Sequence, residues 1–402
     1  MPTIKSSQNG NVTQIEELRR RRKLRKLRNV IVAVVALILL GLYASGIYGK
    51  GLIVLGDLVD SARIGLQPAQ GFPQKTGIAE PLQIESLAGG FVELGDKDLV
   101  VFSANGNQLR SIAHNYARPA MSSGNTRFVI YNRSGYELRV ESRSRTLYTH
   151  TYAQPLLLAE MSANGSLAVV TSSSRYAAEC TVYNPSFESI YSWKLTDKEG
   201  MPNSIAFAQD NKRFAVACLK AENGQLITNL YFLDVRKDNI ISSVQQVNGR
   251  VLQMKWIDVN SLMVIYNNQT VVYNAKTGEQ QATYSYGGNT IKSASIGGKN
   301  VALLFQQSIA DAPVDLVILD QKMQVTGSAS VPSPANQVVC TSSGVYVLRE
   351  TSVAAYDLLG QSSWEMSLDT KPLAVLDAKK LLVFEGGSVS ELKKPADQST
   401  TS

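Results

Sequence analysis

The sequence predicts an all-β chain, a β-propeller preceded by one transmembrane helix. Three observations predict it: an uncharged run from Val30 to Gly49 behind a dense cationic segment, a strand unit recurring about every 40 residues from residue 82, and a last unit that lacks its fourth strand.

The first 14 residues are polar without apolar periodicity and read as disordered. Ile15 to Arg28 reads as a helix running into the membrane, and it carries Arg19, Arg20, Arg21, Arg22, Lys23, Arg25, Lys26 and Arg28. Residues 1–28 are assigned as a basic cytoplasmic tail and residues 29–49 as the transmembrane helix. At about 1.5 Å per residue, roughly 20 residues cover the about 30 Å of a bilayer's hydrocarbon core. Lys and Arg stay on the cytoplasmic side, so the N-terminus is expected inside and the body outside the cell membrane. The tail's nine Lys/Arg against Glu16 and Glu17 account for the chain's whole net charge of +7. That places the basic charge against anionic lipid headgroups and argues against nucleic acid as a partner. A cleaved signal peptide is the rival, but it would need an unusually long apolar region, and Ala44-Ser45-Gly46 is a weak cleavage site.

Residues 50–70 are expected to hold a juxtamembrane helix and a linker. Leu55, Leu58, Val59 and Ala62 recur at helical spacing, while Asp57, Asp60 and Arg63 face elsewhere. The acidic residues argue against an anionic lipid surface, which leaves weak self-association as the expected use of Leu52 to Ile64. Gly65, Pro68, Gly71 and Pro73 then break regular structure.

Residues 71–392 are assigned to the propeller. Each unit has an apolar strand, a second apolar strand ending in an aromatic or aliphatic residue, a turn rich in Asn, Asp, Ser, Lys or Gly, and a more polar strand. The ends of these second apolar strands fall at Phe102, Val140, Tyr183, Leu233, Tyr273, Leu319, Tyr356 and Leu392, spaced by 38, 43, 50, 40, 46, 37 and 36 residues. The partner strands lie upstream, as in Arg127 to Tyr131, Leu262 to Tyr266 and Val345 to Leu348. Strands buried on both faces between neighbouring blades read as continuous Val, Leu, Ile and Tyr, whereas rim strands such as Ser242 to Gln246 read as polar. Eight blades are counted, with seven the alternative. The eighth stops at Leu392, so Phe72 to Thr76 is expected to supply its missing strand. Residues 393–402 read as a disordered tail.

Chemistry is sparse. His114 lies in the connection between the first two blades and His150 in a rim strand, so they are expected to be unrelated surface residues rather than a metal site. Cys180, Cys218 and Cys340 sit in apolar strands at no metal or redox spacing and are expected as small buried hydrophobes, with a Cys180–Cys218 disulfide open. Trp193, Trp256 and Trp364, in three blades, are expected to pack between blades. Asn132, Asn164 and Asn268 open glycosylation sequons that would matter only in a eukaryotic secretory pathway. No phosphate-loop, nucleophile-elbow, zincin or calcium-loop pattern occurs, so no catalytic, cofactor-binding or metal residue is assigned.

The basic tail, single span, Gly71-Phe72-Pro73 linker and repeated strands resemble a family of uncharacterised membrane-anchored proteins of Gram-positive bacteria, a domain of unknown function. The blades are also similar to quinoprotein-like and WD40-like propellers. Quinoprotein dehydrogenases would be expected to show adjacent cysteines and tryptophan docking motifs, which this chain lacks. The expectation is a binding scaffold of the bacterial cell envelope, contacting another envelope protein or wall polymer and using no cofactor. The alternative is an envelope enzyme, a hydrolase or quinone-dependent oxidoreductase, with a site in the propeller funnel.

Overall fold

The computed structural model describes residues 48–307 and 312–394. The chain divides into two compact units, Met1–Val59 and Asp60–Ser402. The basic cluster from Arg19 to Arg28, and all but the last two residues of the expected transmembrane helix, lie outside the described residues. Among the described residues no helix is long and apolar enough to cross a membrane. An α-helix, Tyr48–Gly65, begins slightly before the expected juxtamembrane helix.

The second unit is an eight-bladed propeller. Eight antiparallel four-stranded sheets follow one another along the chain: residues 83–113, 119–151, 156–195, 201–247, 251–285, 290–331 and 335–367 form blades 1 to 7, and residues 374–391 with 74–75 form blade 8. In blades 1 to 7 the strands lie in chain order, so every pairing is a hairpin and local. Blade 8 takes its outer strand from the other end of the chain: Gln74–Lys75 pairs antiparallel with Ser388–Glu391, Gln74 opposite Val389 and Lys75 opposite Ser388. The closing strand thus falls within the segment that the unfinished last repeat points to, and the blade number is eight.

The core is divided among the blade interfaces. Each of eight buried apolar clusters joins two neighbouring blades, including blade 8 to blade 1. Strand geometry explains this, because successive side chains point to opposite faces. In Ser261–Tyr266, the side chains of Leu262, Val264 and Tyr266 join the cluster with blade 4, while Met263 and Ile265 join the one with blade 6. All five are fully buried, so the strand reads as an uninterrupted apolar run. At the closure, Phe91 stacks on Phe102 at 5.3 Å and meets Phe384 edge-on at 5.0 Å, with Ile78 in the same cluster.

The repeated Asn or Asp after the third strand has a local cause. Asp320 Oδ1 accepts from the backbone N–H groups of Lys322 and Gln324 (2.8 and 2.9 Å), and Asp357 Oδ1 from those of Leu359 and Gln361 (2.9 and 2.8 Å). Asn184 does the same for Ser186 and Glu188. Each is an Asx turn that carries the third strand into the fourth.

The expected linker is fastened rather than free. Asn107 donates to Pro68 O at 2.9 Å and accepts from Gln70 N at 3.1 Å, and Gly71 N donates to Asn105 O at 2.9 Å. Gly106 has φ +82°, and a Cβ there would lie 2.0 Å from Gly71 O, so only glycine admits this approach.

Candidate interaction face and channel wall

The meander gives the propeller two unlike faces. One carries the turns between first and second and between third and fourth strands, and the chain enters the propeller there. Ser144 Oγ donates to Asp60, and Arg143 donates to Ser61 Oγ and to Ala88 O (2.6 Å). Ile64, buried, and Gly65 line a recess of about 490 Å³ with Gly89, Ala104 and Ala378. This is the entry face. The opposite, far face carries the turns between second and third strands and the connections from one blade to the next.

First strands stand around the central channel, too splayed to share a backbone ladder, and side chains bridge them. Gln83 accepts from Met121 N (2.7 Å) and donates to Met121 O (3.1 Å), and Glu85 accepts from Ser123 N (2.7 Å). Ser122 Oγ accepts from Met161 N, Gln253 Oε1 from Ile296 N, and Ser293 and Ser295 Oγ from Val338 and Cys340 N. These polar residues are thereby committed to holding blade to blade. Burial raises the Glu85 carboxyl above the usual range. Glu160 is pushed up to about 8, by burial first and then by the charge of Glu85, against a lowering hydrogen bond with Ser122. In the first strand of blade 5, burial lowers Lys255, whose Nζ donates to Ile296 O at 3.4 Å.

On the far face, blade 4 stands out. Its middle strands Arg213–Glu222 and Gln225–Asp234 are ten residues each, longer than any other strand described. Asn223 and Gly224 join them, both at positive φ (50° and 76°), the requirement of a two-residue hairpin turn. Around this hairpin's base and the connection to blade 5, Met201, Leu226, Val247 and Leu252 are exposed large hydrophobics. Beside them, a cleft of about 830 Å³ opens between blades 5 and 6, lined among others by Arg250, Gln253, Asn267, Asn268, Asn289 and Lys292.

The residues singled out from sequence do not converge. His114 is buried, contrary to the surface position expected, because the connection folds its ring beneath the turn at Gly95. Its Nε2 meets Gly95 O at 3.2 Å, and desolvation holds its pKa below the usual histidine range. His150 is exposed between Tyr148 and Tyr152. Among the described residues no group of His, Cys, Asp and Glu could hold a metal. All three cysteines are buried free thiols, so the open Cys180–Cys218 disulfide is not formed. Trp256 is buried and donates to Ala206 O at 2.9 Å across the blade 4–5 interface, while Trp193 and Trp364 pack on Tyr231 and Tyr346. Sequence reasoning missed two buried carboxylates. Glu141, fully buried, pairs with Arg110 (2.9 Å) and Arg139 (2.6 Å), and Glu93 lies beside Thr76 of the closing segment with its carboxyl raised to about 7 by burial. A charged residue inside an apolar strand, as in Gly90–Leu94, was the available signal.

Fold and site together define an all-β propeller of eight blades whose polar channel residues serve its own assembly. The chain belongs to a family of unknown function (DUF5711), whose model matches residues 73–393. No curated protein matches the sequence. Among solved structures, the chain is similar to BamB from Moraxella catarrhalis (12% identity over 80% of this chain and 99% of that one, TM-score 0.54). It is also similar to Sqt1 from Saccharomyces cerevisiae (10%, 82% and 100%, 0.58) and to the C-terminal WD40 domain of Sif2 (12%, 80% and 99%, 0.56). At these identities the likeness shows the fold alone.

Proposed function

We propose that the protein is a membrane-anchored scaffold of the bacterial cell envelope that presents the far face of its propeller to another protein. The observation that carries this is the polarity of the ring: the chain reaches the propeller at the entry face through Asp60, Ser61 and Ile64, while the long blade 4 hairpin and exposed Met201, Leu226, Val247 and Leu252 lie on the other. A single span at residues 29–49, with the Arg19 to Arg28 cluster inside, would anchor the propeller to the membrane. The exposed apolar residues, rimmed by polar ones, fit a protein partner better than a hydrated polymer.

A photo-crosslinking residue at Leu226 in intact cells should capture a discrete protein, and one at Leu359, exposed in a turn of the entry face, should not. Equal capture at both positions, or none at Leu226, refutes the face assignment. A reporter fused after Ser402 that is active in the cytoplasm refutes the topology. An enzymatic reading would draw on Glu160, whose carboxyl is pushed up to about 8 by burial at the channel wall.

A further inference from the structure

The cleft between blades 5 and 6 is unusual in what its polar atoms have left to offer. Its volume of about 830 Å³ is within the range of small-molecule sites, roughly 300–1,000 Å³. Arg250 and Lys292 both line it and are exposed, and among the described residues no Asp or Glu lines it. The hydrogen-bond acceptors of its wall are largely consumed by the propeller itself. Asn267 Oδ1 accepts from Arg250 N at 2.6 Å, Gln253 Oε1 from Ile296 N at 3.2 Å, and Ser293 Oγ from Val338 N at 3.1 Å. A backbone N–H can only donate, so each amide must turn its oxygen to the scaffold, which leaves Asn267 Nδ2 and Gln253 Nε2 as donors. Asn268 is turned the other way, its Nδ2 donating to Asn248 O at 3.4 Å. Among the side chains of the wall, the oxygens of Asn268, Asn289 and Thr290 are the ones the propeller does not already engage, and they can accept from a ligand hydroxyl or two.

We propose that this cleft binds a small, hydroxylated oxyanion, a phosphate or carboxylate carried on a polyol or sugar. Two cations and a surplus of donors recognise anionic oxygens. The scarcity of acceptors disfavours a peptide, whose own N–H groups would go unmatched, and a neutral sugar, whose hydroxyls need as many acceptors as donors. This site goes beyond the scaffold reading and does not depend on it, since a ligand could occupy the cleft whether or not the chain is anchored or has a protein partner.

The test is titration calorimetry of the purified full chain in nonionic detergent, with glycerol 3-phosphate, glucuronate, glycerol, glucose and a hexaglutamate peptide as probes. One of the two hydroxylated anions should bind, and which one does so separates phosphate from carboxylate. Its Kd should rise about tenfold or more in the Arg250→Gln, Lys292→Gln double variant, and should be unchanged by Lys322→Gln on the entry face. The proposal is overturned if neither anion binds, if glycerol or glucose binds as well as the anions, if the double variant binds undiminished, or if hexaglutamate alone binds. None of these outcomes bears on crosslinking at Leu226, so the two readings can fail separately.

Discussion

Glu93 makes the closure of the ring dependent on pH. It sits in the second strand of blade 1, 1% exposed, beside Thr76 just beyond the closing strand, and burial raises its carboxyl from 4.5 to about 7. Below pH 4.5 the group is protonated in folded and unfolded chains alike and contributes no difference. As pH rises from 4.5 to 7 the unfolded chain ionises while the folded one keeps its proton, so stability falls, and above 7 the loss is constant. At about 1.4 kcal/mol per pKa unit, the full loss is about 3 kcal/mol. Glu93→Gln keeps the shape and removes the titration. It should match the parent at pH 4.5 and exceed it by about 3 kcal/mol at pH 8. Urea unfolding of the two full chains from pH 4.5 to 8 measures this; with a slope of about 3 kcal/mol per molar urea, the midpoints should diverge by about 1 M at pH 8. Glu85 and Glu160 titrate in the same direction in both chains, so the difference isolates Glu93. Midpoints that stay parallel across the range would refute the buried carboxyl.

Ile78→Ala, which empties part of the cluster joining blade 8 to blade 1, should lower stability by about 2–4 kcal/mol and speed proteolysis near residue 78; an unchanged urea midpoint would show that closure does not rest on this packing. Glu141→Gln should cost about 3 kcal/mol by leaving Arg110 and Arg139 without their shared carboxylate, read as a lower urea midpoint at pH 7. Burial pushes the Cys180 thiol up to about 12 and that of Cys340 to about 11, and raises Cys218 as well, so iodoacetamide at pH 8 should modify none in the native chain and all three in urea by mass spectrometry.

The features legible in sequence are those whose physics closes within a few residues or is forced at every blade. The Asx turn at Asp320 spans residues 320 to 324, and it repeats because each third strand must reverse on the same face. Two-sided burial in strands such as Leu262 to Tyr266 writes an uninterrupted apolar run, and its recurrence about every 40 residues turns that into a blade count. The closing strand was legible by subtraction, from a last unit one strand short. His114 was misplaced because burial of a polar ring depends on how one irregular connection folds, and nothing in Ala113-His114-Asn115 encodes that.

The channel wall and the far-face cleft were illegible for the same reason that the repeat was clear. Each blade-to-blade hydrogen bond joins residues about one repeat apart, 38 for Gln83 and Met121, 39 for Ser122 and Met161, 45 for Ser293 and Val338. No local motif can express such a partner, and the residue types involved, Gln and Ser, are common in turns and rim strands as well. The cleft compounds this by drawing Arg250 from one connection, Asn267 from a hairpin turn and Lys292 from the next blade. Single substitutions in a propeller therefore alter a site through the residues that meet across a blade interface, while leaving the repeat that identifies the fold intact. That separation lets one ring geometry carry unrelated recognition chemistry, and it directs the test of the proposed ligand to the interface between blades 5 and 6 and that of the proposed partner to the hairpin of blade 4.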